Sequence, residues 1–92
     1  MPDFVVDLTD RAVSDLEVVA IRVRLQISQD VASLARDPLP PRPGIKKLKG
    51  YRPPLYRLRA GDFRVLYRVT GRTVTVIRVI ARRDLERALT SL

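Results

Sequence analysis

Arg57, Arg59, Arg64 and Arg68 are the side chains whose type and spacing best suit chemistry, and that chemistry is the holding of an anion. Arginine stays charged at any physiological pH and presents a planar fork of donors that matches a phosphate. The four flank Gly61-Asp62 in the stretch Tyr56-Arg57-Leu58-Arg59-Ala60-Gly61-Asp62-Phe63-Arg64-Val65-Leu66-Tyr67-Arg68-Val69. A solvated basic surface is the plain alternative, but the number and register of these arginines favour an anion site. The chain has no histidine, so the usual general base and the commonest metal ligand are missing.

The element that must position them is a β-hairpin. Two runs rich in Val, Leu, Tyr and Phe flank Gly61-Asp62, and Gly at the first loop position suits a tight primed turn. A two-residue loop sets Ala60 opposite Phe63, Arg59 opposite Arg64, Leu58 opposite Val65, Arg57 opposite Leu66 and Tyr56 opposite Tyr67. Alternation then puts Tyr56, Leu58, Val65 and Tyr67 on one face, with Ala60 and Phe63 at its end. Arg57, Arg59, Arg64, Leu66 and Arg68 share the other. Like charges opposite one another destabilise a hairpin. A sequence that sets Arg59 against Arg64 breaks a local rule, as functional sites often do.

Around the hairpin the chain reads in order. Phe4 to Leu8 is a short first strand. Thr9 suits a helix N-cap, with Asp10 in the first turn. Apolar residues then recur at helical spacing to Arg36 with no Gly or Pro to mark a turn. Asp37 to Gly44, with four prolines, is a stiff connector. Ile45 to Gly50 reads as a loop holding Lys46, Lys47 and Lys49, all the lysines of the chain. Thr70-Gly71-Arg72 is a second turn. Thr73 to Ala81 is a β-branched run typical of a strand buried on both faces. Leu85, Ala88 and Leu89 suit a short final helix.

Composition narrows the function. Ninety-two residues make one small domain, 1–92. There is no cysteine, so disulfides and thiolate metal sites are excluded, and a cytoplasmic setting fits. Neither a membrane span nor a secretion signal is legible, the latter from Met1 to Asp7. Nothing supports a metal or cofactor site. Net charge is +8, split as −3 over residues 1–41 and +11 over residues 42–92. Such asymmetry builds a basic face suited to nucleic acid or an acidic partner.

The stretches Lys46-Lys47-Leu48-Lys49-Gly50, Tyr56 to Tyr67 and Val79-Ile80-Ala81-Arg82-Arg83-Asp84 resemble the central signature of the RelE/ParE toxin superfamily. The resemblance covers nearly the whole chain. It implies an α+β fold: an N-terminal strand, a two-helix hairpin bent near Val19–Ile21, a three-stranded antiparallel meander and a short C-terminal helix. The helices are expected on one sheet face, with the arginine face open.

It further implies a toxin of a type II toxin–antitoxin pair. RelE-like members cleave messenger RNA in the ribosomal decoding site, by attack of a ribose 2′-hydroxyl on the adjacent phosphate. By position the catalytic set falls on Arg57, Arg59, Arg64 and Arg83. Arg64 and Arg83 are the best candidates for the scissile phosphate, and both are expected at the surface. Lys46, Lys47, Lys49, Arg68 and Arg82 are the further RNA-binding candidates. Arg57 and Arg59 stand where the best-known member has lysines, and arginine does not give up its proton in a protein. They therefore fit binding and charge stabilisation rather than proton abstraction. The Tyr or His that many members carry a few residues beyond the Arg83 position is absent. Glu86 is a weak substitute for it.

The partners implied are an acidic antitoxin, the ribosome and its messenger RNA, with operator DNA reached only through the antitoxin. The alternative is a ParE-like toxin that poisons DNA gyrase and needs no nuclease site. A non-catalytic nucleic-acid-binding module is the third reading.

Overall fold

The computed structural model describes residues 3–92. Met1 and Pro2, the start of the expected 1–92 domain and of the stretch read for a secretion signal, lie outside the described residues. The chain runs β1 (Val5–Leu8), α1 (Asp10–Glu17), α2 (Ile21–Ala32), a 3-10 turn (Ser33–Ala35), β2 (Ile45–Leu48), β3 (Leu55–Ala60), β4 (Phe63–Thr70), β5 (Thr73–Ala81), a second 3-10 turn (Arg82–Asp84) and α3 (Leu85–Leu89). One five-stranded sheet has the order β1-β5-β4-β3-β2. β1 lies parallel to β5, and the other neighbours are antiparallel.

Thr9 caps α1 as expected, its hydroxyl accepting from the Ala12 N–H at 3.2 Å. The helical run breaks at Val18–Ala20 without Gly or Pro. The helix-end carbonyls there are met from α2: Arg24 Nη2 donates to Glu17 O and Val19 O, each at 3.1 Å. A side chain seven residues downstream thus closes the bend.

The central hairpin has the expected register throughout, from Ala60 opposite Phe63 to Tyr56 opposite Tyr67. Gly61 takes φ +60° while Asp62 does not enter the positive-φ region, as a type II′ turn requires. Tyr56 and Tyr67 stack with ring centroids 5.6 Å apart. Leu58, Val65 and Tyr67 join Val74, Val76 and Val79 of β5 against Ile27, Val31 and Leu34 of the helical layer. The buried Tyr67 hydroxyl donates to Pro38 O at 2.7 Å, tying the proline connector to the sheet.

Two expectations need correction. Ile45 to Leu48 is not loop but an edge strand, with Ile45 opposite Leu58 and Lys46 opposite Arg57, so the antiparallel part has four strands. Five residues, Ile45 to Lys49, between a Pro-Gly pair and a Gly make too short an alternation to recognise. Nor is the arginine face fully open. Leu55, Leu66 and Ile80 form a second small core there, packed with Ala88, Leu85 and Leu89 of α3. Leu66 and Leu55 share that face with the arginines, and apolar area of this size needs a cover.

No helix among the described residues is long and apolar enough to cross a membrane.

Candidate functional site

The uncovered part of that face lies at the Gly61-Asp62 end of the hairpin. β3 supplies Arg57 and Arg59, β4 supplies Arg64, and the turn after β5 supplies Arg82 and Arg83. Arg59 is opposite Arg64, and Ile80 lies on its other side. The backbone N–H of Arg82 donates to Asp62 O at 2.8 Å, joining the end of β5 to the hairpin turn.

Arg64 is the centre of the arrangement. Expected at the surface, it is only 9% exposed, because Ile80 and its strand neighbours enclose it. Its Nη1 donates to Gly61 O at 3.0 Å and Phe63 O at 2.9 Å. Those bonds orient the fork from one nitrogen only. Burial, and after it the charges of Arg57, Arg82 and Arg59, lower the Arg64 pKa, with Asp62 acting weakly the other way. No ion pair to Arg64 forms among the described residues. A largely buried cation ringed by like charges is costly unless an anion arrives. An anion placed here would meet preoriented donors from several strands, and a phosphate group suits such a fork.

The sequence-predicted residues divide. Arg57, Arg59 and Arg82 stand close enough to Arg64 for their charges to disfavour its own. Arg83 is exposed and lines the adjoining depression with Asp62, Phe63, Ala81 and Arg82. Lys46 sits beside Arg57 by register. Lys47 instead pairs with Tyr56, on the opposite face by alternation. Lys47 and Lys49 line a separate concavity with Tyr51 and Arg52. Arg52 joins this basic lining unannounced by the hairpin pattern, its only signal in the sequence being its nearness to Lys47 and Lys49 around Tyr51. Arg68 lies four residues along β4 from Arg64, about 13 Å away, and its Nε donates to Pro53 O at 3.3 Å.

Proton transfer has less support. Tyr67 is spent on Pro38, and burial raises its pKa well above the ordinary tyrosine value. Glu86 is exposed on α3. Among the described residues the cluster offers cations and no evident base.

A family model described as ParE toxin of type II toxin–antitoxin system, parDE, matches residues 6–86. Nothing among curated proteins matches the chain. Among solved structures, the toxin–antitoxin complex RelBE2 from Mycobacterium tuberculosis is similar at 28% identity and TM-score 0.76, over 89% of this chain and 100% of that one. The RelB–RelE antitoxin–toxin complex from Methanococcus jannaschii is similar at 26% identity and TM-score 0.71, over 89% and 96%. The chromosomal ParDE system of Pseudomonas aeruginosa shares the fold, at 21% identity and TM-score 0.57, over 86% and 96%.

Proposed function

This chain belongs to the ParE toxin family of type II toxin–antitoxin systems, within the RelE/ParE superfamily, and we propose that it acts as a ribosome-dependent endoribonuclease. The observation that carries the reading is Arg64, largely buried, unpaired with acid among the described residues and ringed by Arg57, Arg59 and Arg82. Such a cluster destabilises the free protein and fits a site shaped for transition-state charge. The likeness to RelE-containing complexes supports the same branch.

In this mechanism the messenger's scissile phosphate enters beside Arg64 and Arg83. Arg64, Arg57 and Arg59 stabilise the negative charge that grows on the phosphorane as the 2′-oxygen bonds to phosphorus and the bond to the next nucleotide's 5′-oxygen breaks, leaving a 2′,3′-cyclic phosphate and a 5′-hydroxyl. Preorganised cations of this kind usually carry the largest share of such catalysis. No side chain of the cluster takes the hydroxyl proton, so the ribosome orients the substrate and contributes to proton transfer. Lys46 and Arg82 extend the basic track along the RNA backbone. An acidic antitoxin would neutralise the toxin by covering the +11 half, as RelB pairs with RelE in the similar complexes.

The second reading, gyrase poisoning by protein contact, is favoured by the family description and by the lack of a base. Mapping messenger RNA ends in a translation extract separates the two. Cuts inside codons that require ribosomes support the nuclease. Intact message with DNA breaks in growing cells moves the assignment to gyrase.

A further inference from the structure

β1 ends at Leu8, opposite Val76, so the outer edge of β5 from Ile77 onward has no strand beside it among the described residues. α1 and its cap take over that edge. Thr9 N donates to Val76 O at 3.0 Å, and Thr9 Oγ1 donates to Ile77 O at 2.9 Å. Asp15 Oδ2 accepts from the Val79 N–H at 2.9 Å. The same carboxylate holds Arg78 in a two-pronged bond, Nε to Oδ2 at 2.8 Å and Nη2 to Oδ1 at 3.1 Å. The pair is largely withdrawn from water, with side-chain exposures of 15% and 17%, so salt screens it little.

The segment held in this way is a bulge. β4 residues Leu66 and Tyr67 are adjacent, but their β5 partners are Arg78 and Val76, leaving Ile77 as the extra residue. Val76 and Val79 both enter the main core, while Ile77 and Ile80 pack in the second one. Strict alternation would send Val76 and Val79 to opposite faces. The bulge reverses the phase, and the residues downstream follow it. Ile80 comes opposite Arg64, Ala81 opposite Phe63, and the Arg82 N–H reaches Asp62 O.

We propose that Asp15 is a positioning residue for the arginine site: its carboxylate fixes the phase of the β5 bulge and thereby the placement of Arg82 and Arg83. The inference rests on the Arg64-centred phosphate site proposed above. Asp15 acts only through Arg78 and Val79, from the helical layer.

The test compares the wild-type chain with Asp15→Ala, Asp15→Asn and Arg78→Met by amide hydrogen exchange and by cleavage on ribosomes. Asp15→Ala should speed exchange of the Arg82 amide by about tenfold or more while the Val65 and Tyr67 amides hold their rates. Asp15→Asn keeps an oxygen for the Val79 N–H but gives up the charged bond to Arg78, and should raise Arg82 exchange selectively but by less than Asp15→Ala does. Cleavage by Asp15→Ala should lose about tenfold in kcat at unchanged KM, the mark of a displaced transition-state contact. Unchanged Arg82 exchange in folded Asp15→Ala overturns the proposal, as does an equal rise at Arg82, Val65 and Tyr67. If Asp15→Ala does not fold, Arg78→Met decides by the same selective rise or its absence. A wild-type chain that cuts nothing, with the selective rise still seen in Asp15→Ala, sinks the nuclease reading and leaves the positioning role standing.

Discussion

Arg59 and Arg64 face each other across the β3–β4 ladder, two guanidinium side chains at a position where opposite charges would stabilise the hairpin. Arg64 is the more buried of the pair. Burial and its arginine neighbours disfavour its charge, so the folded protein carries a standing electrostatic cost at this point.

Removing that charge should separate stability from function. Arg64→Met keeps the unbranched stem of the side chain and relieves the repulsion, at the loss of the bonds to Gly61 O and Phe63 O. The variant should be as stable as wild type or more so, by up to about 1 kcal/mol. Urea unfolding midpoints check this. A midpoint well below wild type would mean that Arg64 is held for stability.

Tyr67 makes the opposite case, a polar group whose bond is structural. Tyr67→Phe leaves Pro38 O without its buried donor and should destabilise by about 1–3 kcal/mol. The pH dependence follows from the raised pKa of the phenol. Its contribution is whole below the ordinary tyrosine value of about 10 and is lost progressively as the pH climbs above it. Stability should therefore fall more steeply in alkali for wild type than for Tyr67→Phe, measured by denaturant titration at several pH values. Parallel curves would contradict the assignment.

Thr9 serves both α1 and β5, accepting from Ala12 N and donating to Ile77 O. Thr9→Ala should cost about 2 kcal/mol, more than a helix cap alone usually does, since the Ile77 carbonyl also loses its donor. A loss below about 0.5 kcal/mol in thermal unfolding would show that water replaces both bonds.

Val76 is fully buried in the main core. Val76→Asp should leave no folded protein at neutral pH, because the new carboxylate has no partner there. A cooperative melting transition in that variant would contradict the core assignment.

The hairpin was legible because its alternation, its turn glycine and its length all point one way. Tyr56 to Tyr67 carried the register residue by residue, and Thr73 to Ala81 declared β5. What stayed hidden depends on contacts between distant residues. The bend after Glu17 is closed by Arg24, and no local breaker marks it. The β5 bulge sits in an unbroken β-branched run, where every residue suits a strand, and only the edge bonds of Thr9 and Asp15 reveal its phase. Arg64 could be placed on the arginine face but not in depth, since its burial comes from Ile80 and the neighbouring strands. Of the basic candidates, register separates Lys46 from Lys47 once β2 is known to be a strand.

The most direct test of the central claim is single-turnover cleavage of messenger RNA on programmed ribosomes by wild type and Arg64→Met, with ribosome binding measured alongside. The phosphate-site account predicts cuts in the decoding site for wild type. For the folded variant it predicts cleavage slower by about 100- to 1,000-fold with binding little changed. Cleavage at the wild-type rate by Arg64→Met would contradict it.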